Sequence, residues 1–381
     1  MNQTHLSRRR FAQILGLGAA AAVVRPAFAR VPSLEPAITP IPGCGAIVRL
    51  SSNENPYGPS ARALKAMNDA FSLAWRYPDE QNDTLTDSLS RLHHVAPAQI
   101  LLGDGSSEIL QVCAAAFTGP AIGDKPARGN LVVANPTFEA IANLAKAGGA
   151  EVVKVPLTDT YAHDLPKMAA AAKSGLVYIC NPNNPTASIT PKDRLREFIA
   201  KTPRETVILV DEAYFHFADS ADYETVIPLI ADHPNLIVAR TFSKIYGMAG
   251  LRCGYCVAQK ETLARMRPHQ MWDSVNCIAL AAAIASLDDP DQVPNARRQI
   301  NEAKAFITGE LDTLGYKAIP SQANFIMFDV KQPVTPLLQA LKQHNVFVGR
   351  LFPDMPNHMR LTIGKKPELD AFLAAFRTVT A

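Results

Sequence analysis

The chain has 381 residues, 48% of them apolar and 19% charged, which is enough for one large and one smaller packed domain and excludes a disordered chain. The formal net charge of +3 is concentrated at one end: residues 1 to 29 hold Arg8, Arg9, Arg10 and Arg25 and no acid, leaving 34 basic against 35 acidic residues in the rest. So balanced a remainder gives no electrostatic case for binding nucleic acid or an anionic membrane.

The first features in chain order are Ser7-Arg-Arg-Arg-Phe11, an apolar, Ala-rich run from Ile14 to Val24, and Ala27-Phe28-Ala29. A charged start, an apolar stretch too short for an ordinary membrane span and a small-x-small cleavage site describe a targeting segment, and the run is apolar all round, unlike a basic amphipathic helix. The segment resembles a twin-arginine export signal, whose Ser-Arg-Arg-x-Phe pattern is matched in full. That resemblance implies recognition by the export machinery, passage of an already folded protein, and residence in the periplasm without a stable membrane anchor.

Residues 30 to 60, with Pro32, Pro36, Pro40, Pro42, Gly43 and Gly45, predict an extended arm rather than a regular element. Then the pattern alternates. Ala61 to Ser72 predicts a helix, Ile100 to Leu102 a short strand and Glu108 to Phe117 a helix. Short apolar runs at 131–134, 151–155, 176–180, 207–210 and 236–239 are bounded by Pro, Asn, Asp or Gly and separated by helical stretches. Together they predict an α/β large domain over residues 61 to 275, its mainly parallel sheet sandwiched by helices, with functional residues clustered where strands end. Helices at 276–287 and 296–314, strands at 324–328, 346–350 and 359–362, and a last helix at 367–378 predict a smaller α+β domain from 276 to 381.

Six cysteines, at 44, 113, 180, 253, 256 and 277, have no dense spacing, so no disulfide framework is expected. Cys253 and Cys256 form a C-x-x-C, but Leu251 to Val257 reads as a strand. Residues three apart on a strand face opposite sides, so no shared metal or redox site is expected.

The strongest chemical signal is Thr241-Phe-Ser-Lys-Ile-Tyr-Gly-Met-Ala-Gly-Leu-Arg252, which follows one apolar strand and leads into the next. A lysine after a strand is ordinarily a solvated turn residue. Here Lys244 sits beside Thr241 and Ser243, with Arg252 beyond a glycine-bearing loop. A lysine amine of lowered pKa condenses with an aldehyde, and an arginine among hydroxyls holds a phosphate. An aldehyde cofactor with a phosphate tail satisfies both. Gly105-Ser106-Ser107 leads into a predicted helix, where backbone amides attract phosphate or a serine serves as a plain N-cap.

The lysine segment resembles that of fold-type I pyridoxal phosphate (PLP) enzymes, the class I and II aminotransferases, and most of all the histidinol-phosphate aminotransferase family. The likeness extends from about Leu50 to the C-terminal helix. It implies that Lys244 is the catalytic lysine and that Ser106, Ser107, Thr241, Ser243 and Arg252 cradle the phosphate. Phe138, in a position where the family often has Tyr, would stack on the pyridine ring. Asn184, in Cys180-Asn-Pro-Asn-Asn-Pro-Thr-Ala187, would donate to the ring's phenolic oxygen together with Tyr214, and Asp211 would pair with the ring nitrogen. Ala187 stands where the family usually has Gly. Tyr77 matches a tyrosine that reaches the phosphate in a neighbouring subunit, which implies a homodimer. Arg360, in Met359-Arg-Leu-Thr-Ile-Gly364, matches the arginine that clamps the substrate's anion, with Arg350 as helper, and Asn53 lies in the N-terminal lid motif.

The activity so implied is transfer of an amino group from an amino acid or related amine to a 2-oxo acid. Decarboxylases, lyases and racemases share the cofactor residues, because substrate orientation selects the bond that breaks. A non-catalytic periplasmic binding protein is the alternative of another class.

Overall fold

The computed structural model describes residues 46–381 except 122, 124 and 125. The signal segment, Cys44 and most of the arm lie outside the described residues. Strand β1 (Val48–Leu50) comes first, and it corrects the expectation of an irregular arm up to residue 60. Its alternating burial lets it pair in parallel with a strand near the C-terminus, β10 (Val346–Val348), in the register Val48 to Val346.

The next elements are α1 (Ala61–Ala70), α2 (Asp79–His93), β2 (Ile100–Gly103), α3 (Gly105–Phe117), β3 (Asn130–Asn135), α4 (Ala140–Ala147), β4 (Val152–Pro156), α5 (Leu165–Ala171) and β5 (Gly175–Cys180). Then follow α6 (Lys192–Lys201), β6 (Thr206–Asp211), β7 (Leu236–Thr241), β8 (Gly254–Ala258), α7 (Lys260–Met266), α8 (Cys277–Leu287) and α9 (Gln292–Thr313). Strand β9 (Phe325–Asp329), α10 (Val334–Gln343), β10, β11 (His358–Thr362) and α11 (Lys366–Thr380) complete the chain.

Seven strands form one sheet in the order β2-β8-β7-β6-β5-β3-β4. It is mainly parallel, as the apolar runs predict: β4, β3, β5, β6 and β7 run together. Strand β8 runs against both β7 and β2. Between β7 and β8 the chain makes only a 3-10 turn, Ala249–Leu251, too little for the crossover that a parallel return requires. Strand residues alternate between two apolar layers, so that Val177 and Ile179 of β5 enter one and Leu176, Tyr178 and Cys180 the other. Cys253 and Cys256 are likewise divided between the two layers.

Two boundaries differ from expectation for local reasons. Helix α3 begins at Gly105 rather than near Glu108, because Gly105, at φ +70°, turns the chain sharply out of β2 and the Glu108 carboxylate accepts from the Asp104 amide at 2.6 Å. Strand β8 begins at Gly254 rather than Leu251, because Arg252 adopts the left-handed conformation at φ +58°. Ala187 also takes a glycine-like φ of +59°, so the turn keeps its left-handed geometry with a Cβ present. Helix α8, at the start of the expected small domain, packs against α1 and α2.

The ends of β6 and β7 are braced by a buried ion pair. Arg240 Nη2 lies 2.7 Å from Glu212 Oε2, its Nε donates to the same oxygen at 3.0 Å, and its guanidinium sits 3.5 Å from the Phe215 ring centre. Glu212 also accepts from the Val226 amide at 2.8 Å and the Thr225 hydroxyl at 2.8 Å. Replacing Arg240 by Met leaves a buried carboxylate without its counter-charge, and should lower the unfolding free energy by about 3 kcal/mol in urea titration. Adding Glu212→Gln should recover part of that loss.

Candidate active site

The ends of β5, β6 and β7 and the start of α3 open onto one cavity of about 220 Å³. Its wall includes Asn53, Ser106, Ser107, Phe138, Asn184, Asp211, Tyr214, Thr241, Ser243, Lys244, Arg252 and Arg360. Twelve of the fourteen residues singled out in the sequence therefore meet in one place. A larger cavity of about 790 Å³ beneath α5 and α6 contains none of them.

At one end, the first turn of α3 has no side-chain cap from Asp104, which leaves the leading amides directed outward. Arg252 Nη2 lies 3.3 Å from Ser107 Oγ, and Nη1 lies 3.4 Å from Ser243 Oγ. The Thr241 hydroxyl donates to Ser243 Oγ at 2.9 Å. Gly105 sits at φ +70°, a conformation that strains other side chains, and a Cβ there would push the Arg252 guanidinium out of the cradle. One fixed cation, three hydroxyls and a helix start describe an anion cradle of phosphate type.

In the middle stand an acid and an amine. Asp211 is buried at the end of β6, where its Oδ2 accepts from the Tyr178 hydroxyl at 2.9 Å and its Oδ1 from the Ala213 amide at 3.1 Å. Burial pushes its carboxyl up to about 6, against the pull of those two donors and of Lys244. Burial, and next to it the charge of Arg360, brings the Lys244 amine down to about 8. Its Nζ donates to the Ser52 carbonyl at 3.3 Å. The Tyr214 hydroxyl, its pKa raised by burial, accepts from Asn53 Nδ2 at 3.1 Å.

At the other end Arg360 donates from Nη1 to Asn184 Oδ1 at 2.7 Å and from Nη2 to the Ser51 carbonyl, while its buried Nε has no partner among the described residues. Asn53 is held by the Thr362 hydroxyl on its amide at 2.9 Å and by Asn324 Nδ2 on its carbonyl at 3.1 Å. Two predicted residues are elsewhere in this chain. Arg350 pairs with Glu139 at 2.6 Å on the surface, and Tyr77 is 78% exposed. The sequence reading missed Tyr178, Thr362 and Asn324. A tyrosine inside the otherwise aliphatic run 176–180 was the available signal for the first.

A phosphate cradle, a buried acid and a neutralisable amine on one wall fit a phosphorylated pyridine aldehyde. Residues 46–376 match the family described as "Aminotransferase class I and II". The chain belongs to this family. Among curated relatives, the histidinol-phosphate aminotransferase of Symbiobacterium thermophilum is 37% identical over 87% of this chain and 90% of that protein. The Bacillus subtilis histidinol-phosphate aminotransferase is 35% identical over 87% and 91%. A solved structure of histidinol-phosphate aminotransferase from Sinorhizobium meliloti, in complex with pyridoxal-5'-phosphate, superposes with a TM-score of 0.81 at 28% identity, covering 93% of this chain and 98% of that one. This protein is thus a PLP-dependent aminotransferase of fold type I.

The lowered amine gives the aminotransferase a pH signature. Condensation of the apoprotein with the cofactor aldehyde should rise through pH 8 and level off above it, since the neutral amine attacks. An unperturbed lysine would titrate near pH ~10.4. Arg360→Met removes a neighbouring cation and should move the midpoint upward, as stopped-flow absorbance would record.

Proposed function

We propose that this aminotransferase takes its amino group from an α-amino acid whose carboxylate is held by Arg360, and that Lys244 is both cofactor tether and proton carrier. The observation that carries the reading is the Arg360 guanidinium on the cavity wall, aligned by Asn184 and the Ser51 carbonyl. A planar guanidinium fits a carboxylate in two-point contact. Arg350, engaged by Glu139, adds no second free cation, which favours a singly anionic donor over a phosphorylated amine such as the substrate named for the relatives.

In this reading Ser106, Ser107, Thr241, Ser243 and Arg252 hold the cofactor phosphate. Phe138 covers one ring face, Asn184 and Tyr214 donate to the phenolic oxygen, and Asp211 accepts from the ring nitrogen. The bound cofactor supplies an electron sink for charge released at the substrate's α-carbon. Arg360 orients the substrate so that its α-proton faces Lys244. Neutral Nζ takes that proton, holds it and returns it to the other end of the reacting system, a role matched to a pKa near the working pH. Asn53, fixed by Thr362 and Asn324, closes the opposite wall over Tyr214.

A homodimer completes the proposal. Trp75 and Tyr77 are each 78% exposed and Trp272 is 93% exposed, an unusual amount of aromatic surface to leave in water. Tyr77 would then serve the phosphate cradle of a second copy. Residues 1 to 29 support export through the twin-arginine route, with folding and cofactor loading before passage.

Purified mature protein incubated with a matrix of donors and 2-oxo acids, L-histidinol phosphate included, should form keto acid and new amino acid in equal amounts. Carbon dioxide or inverted stereochemistry as the main product would replace this reading with decarboxylation or racemisation. Arg360→Ala should lower kcat/KM by about 30- to 1000-fold, from loss of roughly 2–4 kcal/mol, while the visible band of bound cofactor stays. Arg252→Ala should instead weaken cofactor retention, and borohydride reduction of the wild type should label the peptide containing Lys244. For export, Lys at both 8 and 9 should strand the enzyme in the cytoplasm, and fractionation that still finds the variant outside would refute that route.

A further inference from the structure

Tyr178 is fully buried in the middle of β5, surrounded by aliphatic side chains of the apolar layer that includes Leu176, Leu209 and Ala239. A hydroxyl in such a place costs free energy unless it is bonded. Strands β5 and β6 run parallel with Tyr178 opposite Leu209 and Cys180 opposite Asp211, so Tyr178 and Asp211 share a face, one step apart along the strands. The tyrosine ring spans that step, and its hydroxyl meets Asp211 Oδ2 at 2.9 Å. The Ala213 amide occupies Oδ1 at 3.1 Å. Two donors thus grip a carboxylate whose remaining surface lines the cavity.

We propose that Tyr178 is a positioning residue of the reaction, whose hydroxyl holds the Asp211 carboxylate in its acceptor form and aims it at the cofactor's ring nitrogen. This rests on the reading of Asp211 given above. Other titratable groups coupled to Asp211 are Cys180 of β5, Glu212, Tyr214 and Tyr223 after β6, and Lys244 after β7. Tyr178, unlike these, hydrogen-bonds the carboxylate through its side chain.

Removal of the donor makes the carboxyl easier to protonate, so the sign is defined. A hydrogen bond to a charged group is worth about 1.5 kcal/mol, or about one pH unit. Tyr178→Phe, nearly isosteric, should move the acid midpoint for loss of bound cofactor up by about one unit, measured by absorbance and dialysis across pH. It should lower kcat by about tenfold and leave the donor KM within about twofold. A 4-aminophenylalanine at position 178 restores a donor and should restore both values, which also covers a Phe variant that folds poorly. The double variant with Asp211→Asn should be no worse than Asp211→Asn alone. Unchanged midpoint and kcat in Tyr178→Phe, with or without a lower Tm, would overturn the proposal, as would full additivity in the double variant. If Asp211→Asn itself leaves cofactor affinity unchanged, the role assigned to Asp211 fails instead.

Discussion

Asp211 is a carboxylate buried at the end of a parallel strand, and much of the site follows from the need to keep it there. Burial favours its protonated form, and donors from neighbouring segments oppose that: the Tyr178 hydroxyl from β5 and the Ala213 amide from the turn that follows. The turn is stiffened in turn by the next residue, Glu212, in its buried pair with Arg240. Because Arg240 immediately precedes Thr241, the same pair fixes the acid on β6 and the start of the lysine segment after β7.

Sheet topology then does the gathering. Strands β5, β6 and β7 end on the same edge, so the segments carrying Asn184, Asp211 with Tyr214, and Thr241 with Lys244 leave side by side. Because β8 runs antiparallel to β7, it starts at that same edge, and Arg252, just before it, stays there beside the first turn of α3. Close backbone approaches make this possible: Gly247, at φ +68°, would place a Cβ 2.2 Å from the Gly58 carbonyl carbon. The loop after Lys244 is therefore held against the N-terminal segment.

Substrate and cofactor ends are connected by hydrogen bonds between segments far apart in sequence. Arg360 on β11 bonds Asn184 after β5 and the carbonyl of Ser51, while Thr362 on the same strand fixes Asn53, which reaches Tyr214. Arg360 thus ties Asn184 and the N-terminal segment to the same guanidinium.

Much of this was legible in residue order. Short apolar runs with polar ends predict buried parallel strands because both faces of such a sheet are covered, and residues at strand ends predict the site. Local chemistry also marks Lys244 with Arg252, because their spacing is set within one loop, whereas Asp211 and Tyr214 were marked by the family resemblance. What residue order could not supply was any pairing across segments. The partnership of Tyr178 with Asp211 depends on strand register, the engagement of Arg350 by Glu139 on how the segment after β10 meets the segment after β3, and the left-handed turns at Arg252 and Ala187 on tertiary contacts that outweigh local preference. The sequence by itself determined which groups are present and which strand ends present them. The tertiary structure decided which groups neutralise, align or occupy one another, because hydrogen bonding and desolvation depend on distances between segments that no linear spacing encodes.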